Sequence, residues 1–190
     1  MTANLTDPEL MDTFRAGADM IVHFGGLNSG KSIETIISGD VMGTHTIFEI
    51  ARKNRARVVN ASSNHVIGFY PQGASLGIGD GLRIGSCLPQ PTNERTLSTW
   101  LSYGDLVRLV VAAIEAERTD FAVVRGASPN ARSWWHGDDF GRIGFGPVDN
   151  AEIHAATSGS GADDPVSARF QDGPICSIGY DRRNADGEPV

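Results

Sequence analysis

Ser62, Ser63, Asn64 and His65 follow directly on Arg57-Val58-Val59-Asn60-Ala61, so two hydroxyls, a carboxamide and an imidazole leave the end of a short apolar run. Val58-Val59 fits a buried strand, and Gly68 and Pro71 mark the loop beyond it. Open α/β sheets place ligands beyond the carboxyl ends of parallel strands, so these side chains at that edge suggest a reaction site. The same residues also suit an ordinary strand-to-loop turn, in which Ser and Asn satisfy local backbone groups. A second window, Gly25-Gly26-Leu27-Asn28-Ser29-Gly30-Lys31-Ser32, satisfies G-x-x-x-x-G-K-S and follows an apolar run. Such a loop cradles phosphates with its backbone N–H groups, and Ser32 would bind magnesium. No later strand ends in the Asp that would anchor the metal from a second side. Val58-Val59 leads to Asn60, and Val123-Val124 leads to Arg125.

The elements around these windows alternate. Thr6 suits an N-cap before Pro8, with Leu10, Met11 and Phe14 at helical spacing and Gly17 as terminator. Met20 to Phe24 reads as a strand closed by Gly25-Gly26. A helix over Val41 to Lys53 would bury Val41, Ile47, Phe48 and Ile50. Strands follow at Val58-Val59 and Leu82 to Ile84. A helix from Leu106 to Glu117 would pack Leu106, Leu109, Val110 and Ile114, and Phe121 to Val124 is the last strand. Strand–helix alternation indicates βαβ units. The expected fold is α/β, a truncated Rossmann-like parallel sheet with flanking helices. Residues 1–157 form one domain in this reading, and 158–190 a linker-like segment and frayed tail, because Ser158 to Pro165 is rich in Ser, Gly and Asp.

Composition sets the outer limits. A chain of 190 residues, 40% hydrophobic and 21% charged, is long enough for one sizeable core and belongs to the soluble class. The net charge of -7 and the lack of a basic run argue against nucleic acid, and no apolar run is long enough to span a bilayer. Cys87 and Cys176 lack metal-type spacing, so two reduced thiols in a cytoplasmic protein without a metal are expected. No carboxylate pair suggests a glycosidase. Trp134 and Trp135 suit either aromatic packing or the cap of a pocket, while His45, His154, Asp138 and Asp139 read as surface residues.

Three blocks carry a likeness to known proteins: Ser62-Ser63-Asn64-His65-Val66-Ile67-Gly68-Phe69-Tyr70-Pro71; Ile84-Gly85-Ser86-Cys87-Leu88-Pro89 with Arg95 and Thr99-Trp100-Leu101-Ser102; and Gly126-Ala127-Ser128 with Ser133-Trp134-Trp135. With them the chain resembles the extended short-chain dehydrogenase/reductases, the NAD-dependent epimerase/dehydratase family, and within it the uronate dehydrogenases. The resemblance implies NAD-dependent oxidation of a sugar acid at its anomeric carbon. It implies Ser63 as the catalytic serine, and Asn28, Ser63, Asn64, His65, Ser86 and Arg95 around the substrate. Arg95 would take the carboxylate, for which a guanidinium fork is well shaped. The cofactor side would comprise Asn4, Leu5, Phe24, Gly25, Gly26, Asp40 and Ile84. Partners implied are a small sugar acid and NAD, with no nucleic acid and no membrane; a homo-oligomer is compatible.

The chain departs from this family at two places. The family's proton-transfer Tyr stands four residues before a Lys, whose ammonium favours the phenolate. Here Tyr70, Tyr103 and Tyr180 are followed four residues on by Ala74, Val107 and Asn184, and the lysines are Lys31 and Lys53. A glycine-rich bridge, Gln72 to Gly81, stands in place of the helix that bears the pair. The family also opens on a Gly-rich phosphate turn within a unit of roughly 30 residues, whereas Asn4-Leu5 already aligns with its adenine-side loop. Asp40 stands where the family has Asn. Weak cofactor binding and weak or absent activity are expected. The alternatives are a phosphate loop at Gly25 to Ser32 or a non-catalytic sugar-acid binding module.

Overall fold

The computed structural model describes residues 5, 17–27, 32–63, 65, 71, 81–117, 122–135, 140–159 and 164–177. These fall into two compact units, residues 1–61 and 62–190.

In the first unit, strand β1 (Met20–His23) runs parallel to the first half of β2 (Arg57–Ser63), with Val22 opposite Val59 and His23 opposite Asn60. The crossover between them is helical. Ser32 caps a short turn, α1 (Ile33–Ile36), which runs through a π-helical segment (Ile37–Met42) into α2 (Gly43–Asn54). The helical path therefore starts well before Val41. α2 buries Gly43, Ile47, Ile50 and Ala51, one stripe at i, i+4, i+7 and i+8. Val41 and Phe48 are instead 57% and 45% exposed. Phe48 lies one residue off that stripe, and Val41 lies in the π segment, where side chains no longer follow the 3.6-residue period. Arg55 ends α2 at φ 56, left-handed although it is not glycine. β2 also outruns its expected length: Ser62 and Ser63 belong to the strand, since small half-buried polar side chains are compatible with a ladder.

In the second unit, β3 (Gly81–Ile84) pairs in parallel with β6 (Val123–Gly126), Leu82 opposite Val124. The strand at β6 is shifted toward Arg125 and Gly126, because Arg125 extends it rather than ending it; Phe121 lies outside the described residues. A short parallel pair joins β4 (Ser86–Cys87) to β5 (Trp100–Leu101). Gly85 lies between β3 and β4, and a Cβ there would sit 2.3 Å from the Thr99 carbonyl oxygen, a backbone approach only glycine permits. α3 (Glu94–Thr99) starts from a capping box between Asn93 and Thr96.

α4 (Tyr103–Glu115) begins earlier than expected because Ser102 accepts the Asp105 N–H at 2.8 Å. Its buried stripe is Asp105, Leu109 and Ala113, which leaves Ile114 40% exposed. Leu97, Trp100 and Ala151 form a buried apolar cluster against which Leu88 and Ala155 pack. Beyond Trp135 come short 3₁₀ turns at Phe140–Arg142 and Ala151–His154, and α5 (Pro174–Ser177). The expected first helix (10–14), the Gly-rich bridge (72–80), Asp138 with Asp139, and the tail (182–190) lie outside the described residues, though Gly17 has φ 82.

Candidate functional site

Each unit carries part of the candidate constellation. In the first, β1 ends at His23 and opens onto Phe24, Gly25, Gly26 and Leu27, all four exposed. His23 is buried, its Nε2 lies 3.2 Å from the Thr44 hydroxyl, and burial pulls its pKa below the ordinary value. A Cβ at Gly25 would meet Leu5 Cδ1 at 3.2 Å and the His23 ring at 3.3 Å, so Leu5 and His23 flank bare backbone at the strand end. The Asp40 carboxylate, presented by the π segment, accepts the Leu27 N–H at 2.7 Å and closes this turn. Asn4 and Asn28 lie outside the described residues, as do Ser29, Gly30 and Lys31. Ser32, the residue a phosphate loop would aim at magnesium, instead accepts the Thr35 N–H at 3.3 Å as a helix cap.

In the second unit, Ser63, His65, Ser86 and Arg95 belong to one connected polar chain. Ser86 and Thr99 share a hydroxyl–hydroxyl bond of 2.8 Å, and Thr99 donates at 3.3 Å to the Arg95 carbonyl, which leaves Ser86 the donor to Thr99. The Arg95 guanidinium donates to the Phe170 carbonyl at 3.2 Å and to the Gln171 carbonyl, and it lies 5.2 Å over the Trp134 ring. The next residue, Asp172, accepts from Nδ1 of His65, and the His65 N–H donates to Ser63 Oγ at 3.0 Å. Ile84 ends β3, and Asn64 lies outside the described residues.

The segment 164–177 thus supplies the partners of Arg95 and His65. Its own turn is fixed by the Asp164 carboxylate, which accepts the N–H groups of Val166 and Ser167, each at 3.0 Å; with the Ser167 hydroxyl these hold its pKa below the carboxylate norm. Gln171 accepts from the Trp135 indole at 3.1 Å and donates to the Pro71 carbonyl at 3.1 Å. Gly173 adopts φ 64, and a Cβ there would fall 2.4 Å from the guanidinium carbon of Arg95. Glycine is therefore required twice over, for its backbone angle and for the cation packed on it. The buried Trp134 indole N–H has no acceptor among the described residues. Burial, and next the charge of Asp172, raise the Cys176 thiol's pKa; burial raises that of Cys87.

Sequence reasoning noted Thr99 only inside a resemblance block, without a role, and missed Gln171 and Asp172. Nothing in spacing links residues so distant; the one local sign is an acid directly before a glycine, Asp172-Gly173, in a segment read as a tail.

Comparison with known proteins gives the family. The model of the NAD dependent epimerase/dehydratase family matches residues 1–83. A uronate dehydrogenase of Agrobacterium fabrum is 37% identical over 90% of this chain and 78% of its own length. The chain belongs to the NAD-dependent epimerase/dehydratase family. Within it the chain is uronate dehydrogenase-like, since one from Pseudomonas putida is also 33% identical over 94% of this chain and 80% of its own. A solved mutant of the Agrobacterium tumefaciens uronate dehydrogenase, complexed with NAD, superposes with a TM-score of 0.82 at 35% identity, covering 93% of this chain and 80% of that one. The Rossmann-like parallel sheet with flanking helices is therefore the fold of this family member, as its alternating strands and helices imply.

Proposed function

We propose that this chain is a uronate dehydrogenase-like protein that binds a sugar acid in its second unit and turns it over weakly or not at all. The observation that carries this reading is the connected chain Ser86–Thr99–Arg95–Gln171–Asp172–His65–Ser63, which gathers a guanidinium, an imidazole and hydroxyls. A guanidinium and several short polar groups are what a small hydroxylated carboxylate needs. The Arg95 fork already donates to two carbonyls, so a ligand carboxylate has to exchange with them, and modest affinity follows.

The bare backbone at Gly25 and Gly26 fits a dinucleotide lying along the end of a parallel strand. Leu5, Phe24, Gly25, Gly26 and Asp40 would hold NAD there. When bound, NAD supplies the hydride acceptor. The chain itself brings no Tyr four residues ahead of a Lys, and proton transfer by a positioned side chain contributes about 10²–10⁴-fold.

Calorimetric titration with galacturonate tests the binding half. The parent should bind, and Arg95→Met should bind about tenfold more weakly or worse, since hydrogen bonds to charged groups contribute roughly 1.5–3 kcal/mol. Binding indifferent to that substitution refutes the reading. Robust NADH production from glucuronate would refute the low-turnover half.

A further inference from the structure

We infer that Asp172 is a positioning residue: it locks His65 with the proton on Nδ1 and so keeps Nε2 an acceptor for a ligand hydroxyl. The inference rests on the sugar-acid reading above and adds to it a residue that the family comparison does not assign. A carboxylate carries no proton to donate, so the His65 Nδ1 facing Asp172 must carry the hydrogen. In the neutral ring Nε2 is then the acceptor. Exposure separates the two ends of the pair: the Asp172 side chain is 6% exposed, whereas that of His65 is 45% exposed. The buried carboxylate fixes the ring, and the more exposed imidazole is the member of the pair left open to a ligand. A carboxylate behind a histidine orients metal-bound imidazoles in the same way.

The backbone around both residues holds the pair in place. The His65 N–H is tied to Ser63 Oγ at 3.0 Å, which anchors the ring's own residue to the end of β2. Asp172 follows Phe170 and Gln171, whose carbonyls are clasped by Arg95, and precedes Gly173, whose missing side chain makes room for that guanidinium. Among the described residues, His65 faces Asp172 directly, and the charges of Asp172 and Arg95 both act on the Cys176 thiol. Ser63 accepts from the His65 N–H and keeps its own proton to donate, whereas Ser86 spends its proton on Thr99. In its neutral form, His65 locked on Nδ1 offers Nε2 as an acceptor alone, and that fits a hydroxyl whose proton must point toward the protein.

Two measurements test this. The first uses the ligand-free protein: the ¹⁵N shifts of the His65 ring should report the Nδ1–H tautomer in the parent. Asp172→Asn, whose amide can donate to Nδ1, should move the ring toward the Nε2–H tautomer while circular dichroism stays unchanged. Asp172→Ala serves as a second variant should the first distort the turn. The second is a double-mutant cycle on galacturonate binding with Asp172→Asn and His65→Gln. Loss of Asp172 should weaken binding about fivefold in the parent and less than about twofold in the His65→Gln background, because the residue acts through the ring. Ring shifts indifferent to Asp172, or an equal loss in both backgrounds, overturn the inference. A parent that ignores galacturonate but shows the Asp172-dependent tautomer refutes the sugar-acid reading and supports the positioning role. Binding that needs Arg95 but not the His65–Asp172 pair does the reverse.

Discussion

At the scale of single residues, the Arg95 clasp depends on what Gly173 lacks. Gly173→Ala introduces both a left-handed backbone penalty of about 1–2 kcal/mol and a methyl group 2.4 Å from the guanidinium carbon. We expect a lower melting temperature and a loss of galacturonate binding similar to that of Arg95→Met. His23 gives a pH dependence of known sign. Burial holds its pKa below the ordinary value, so the unfolded chain takes up the proton first. Its stabilising effect is complete above about pH 6.5 and is lost as pH falls below that value. The melting temperature should drop on acidification through this window, and His23→Gln should flatten that part of the curve.

At the scale of elements, the first turn of α4 is held by Asp105. One carboxylate oxygen accepts from Val148 N–H at 2.9 Å and Arg108 at 2.8 Å; the other accepts from Asp149 N–H at 3.0 Å and the Ser128 hydroxyl at 2.6 Å. Ser128 in turn accepts the Ser102 N–H at 3.1 Å. Asp105→Ala strands buried donors on three segments, and we expect a loss of at least about 2–4 kcal/mol in denaturant unfolding. The motif at Gly25 to Ser32 makes a different prediction. With Ser32 occupied as a cap, ATP with magnesium should not raise the melting temperature; a rise abolished by Lys31→Ala would restore the phosphate-loop reading. Strands and helices were legible in the sequence because their periods are local: Ile47 with Ile50, and Leu109, sit where apolar spacing put them. Val41 was misplaced because it lies in a π segment, and Phe48 and Ile114 because each lies one residue off a narrow buried stripe. Ser63, His65, Ser86 and Arg95 stood out by type. Asp172 did not, because its meaning comes from a residue 107 positions away.

At the scale of the whole molecule, a net charge of -7 should keep the chain off anionic vesicles and DNA at moderate salt, and no helix among the described residues is long and apolar enough to cross a membrane. Both free thiols have pKa values raised by burial, so alkylation of the native protein should be slow and reductant should leave its melting temperature unchanged. The partners of the site are also ordered in time. Asp172 reaches His65 across 107 residues, and Gln171 reaches Arg95 across 76 and Pro71 across 100. Closing loops of that length costs entropy that only a largely formed framework recovers. The clasp is thus expected to be the last thing the chain makes and the first it releases. Substitutions at Asp172 should accelerate unfolding while leaving the folding rate nearly untouched, and during synthesis the sheet should assemble while the clasp still waits for its final turn of chain.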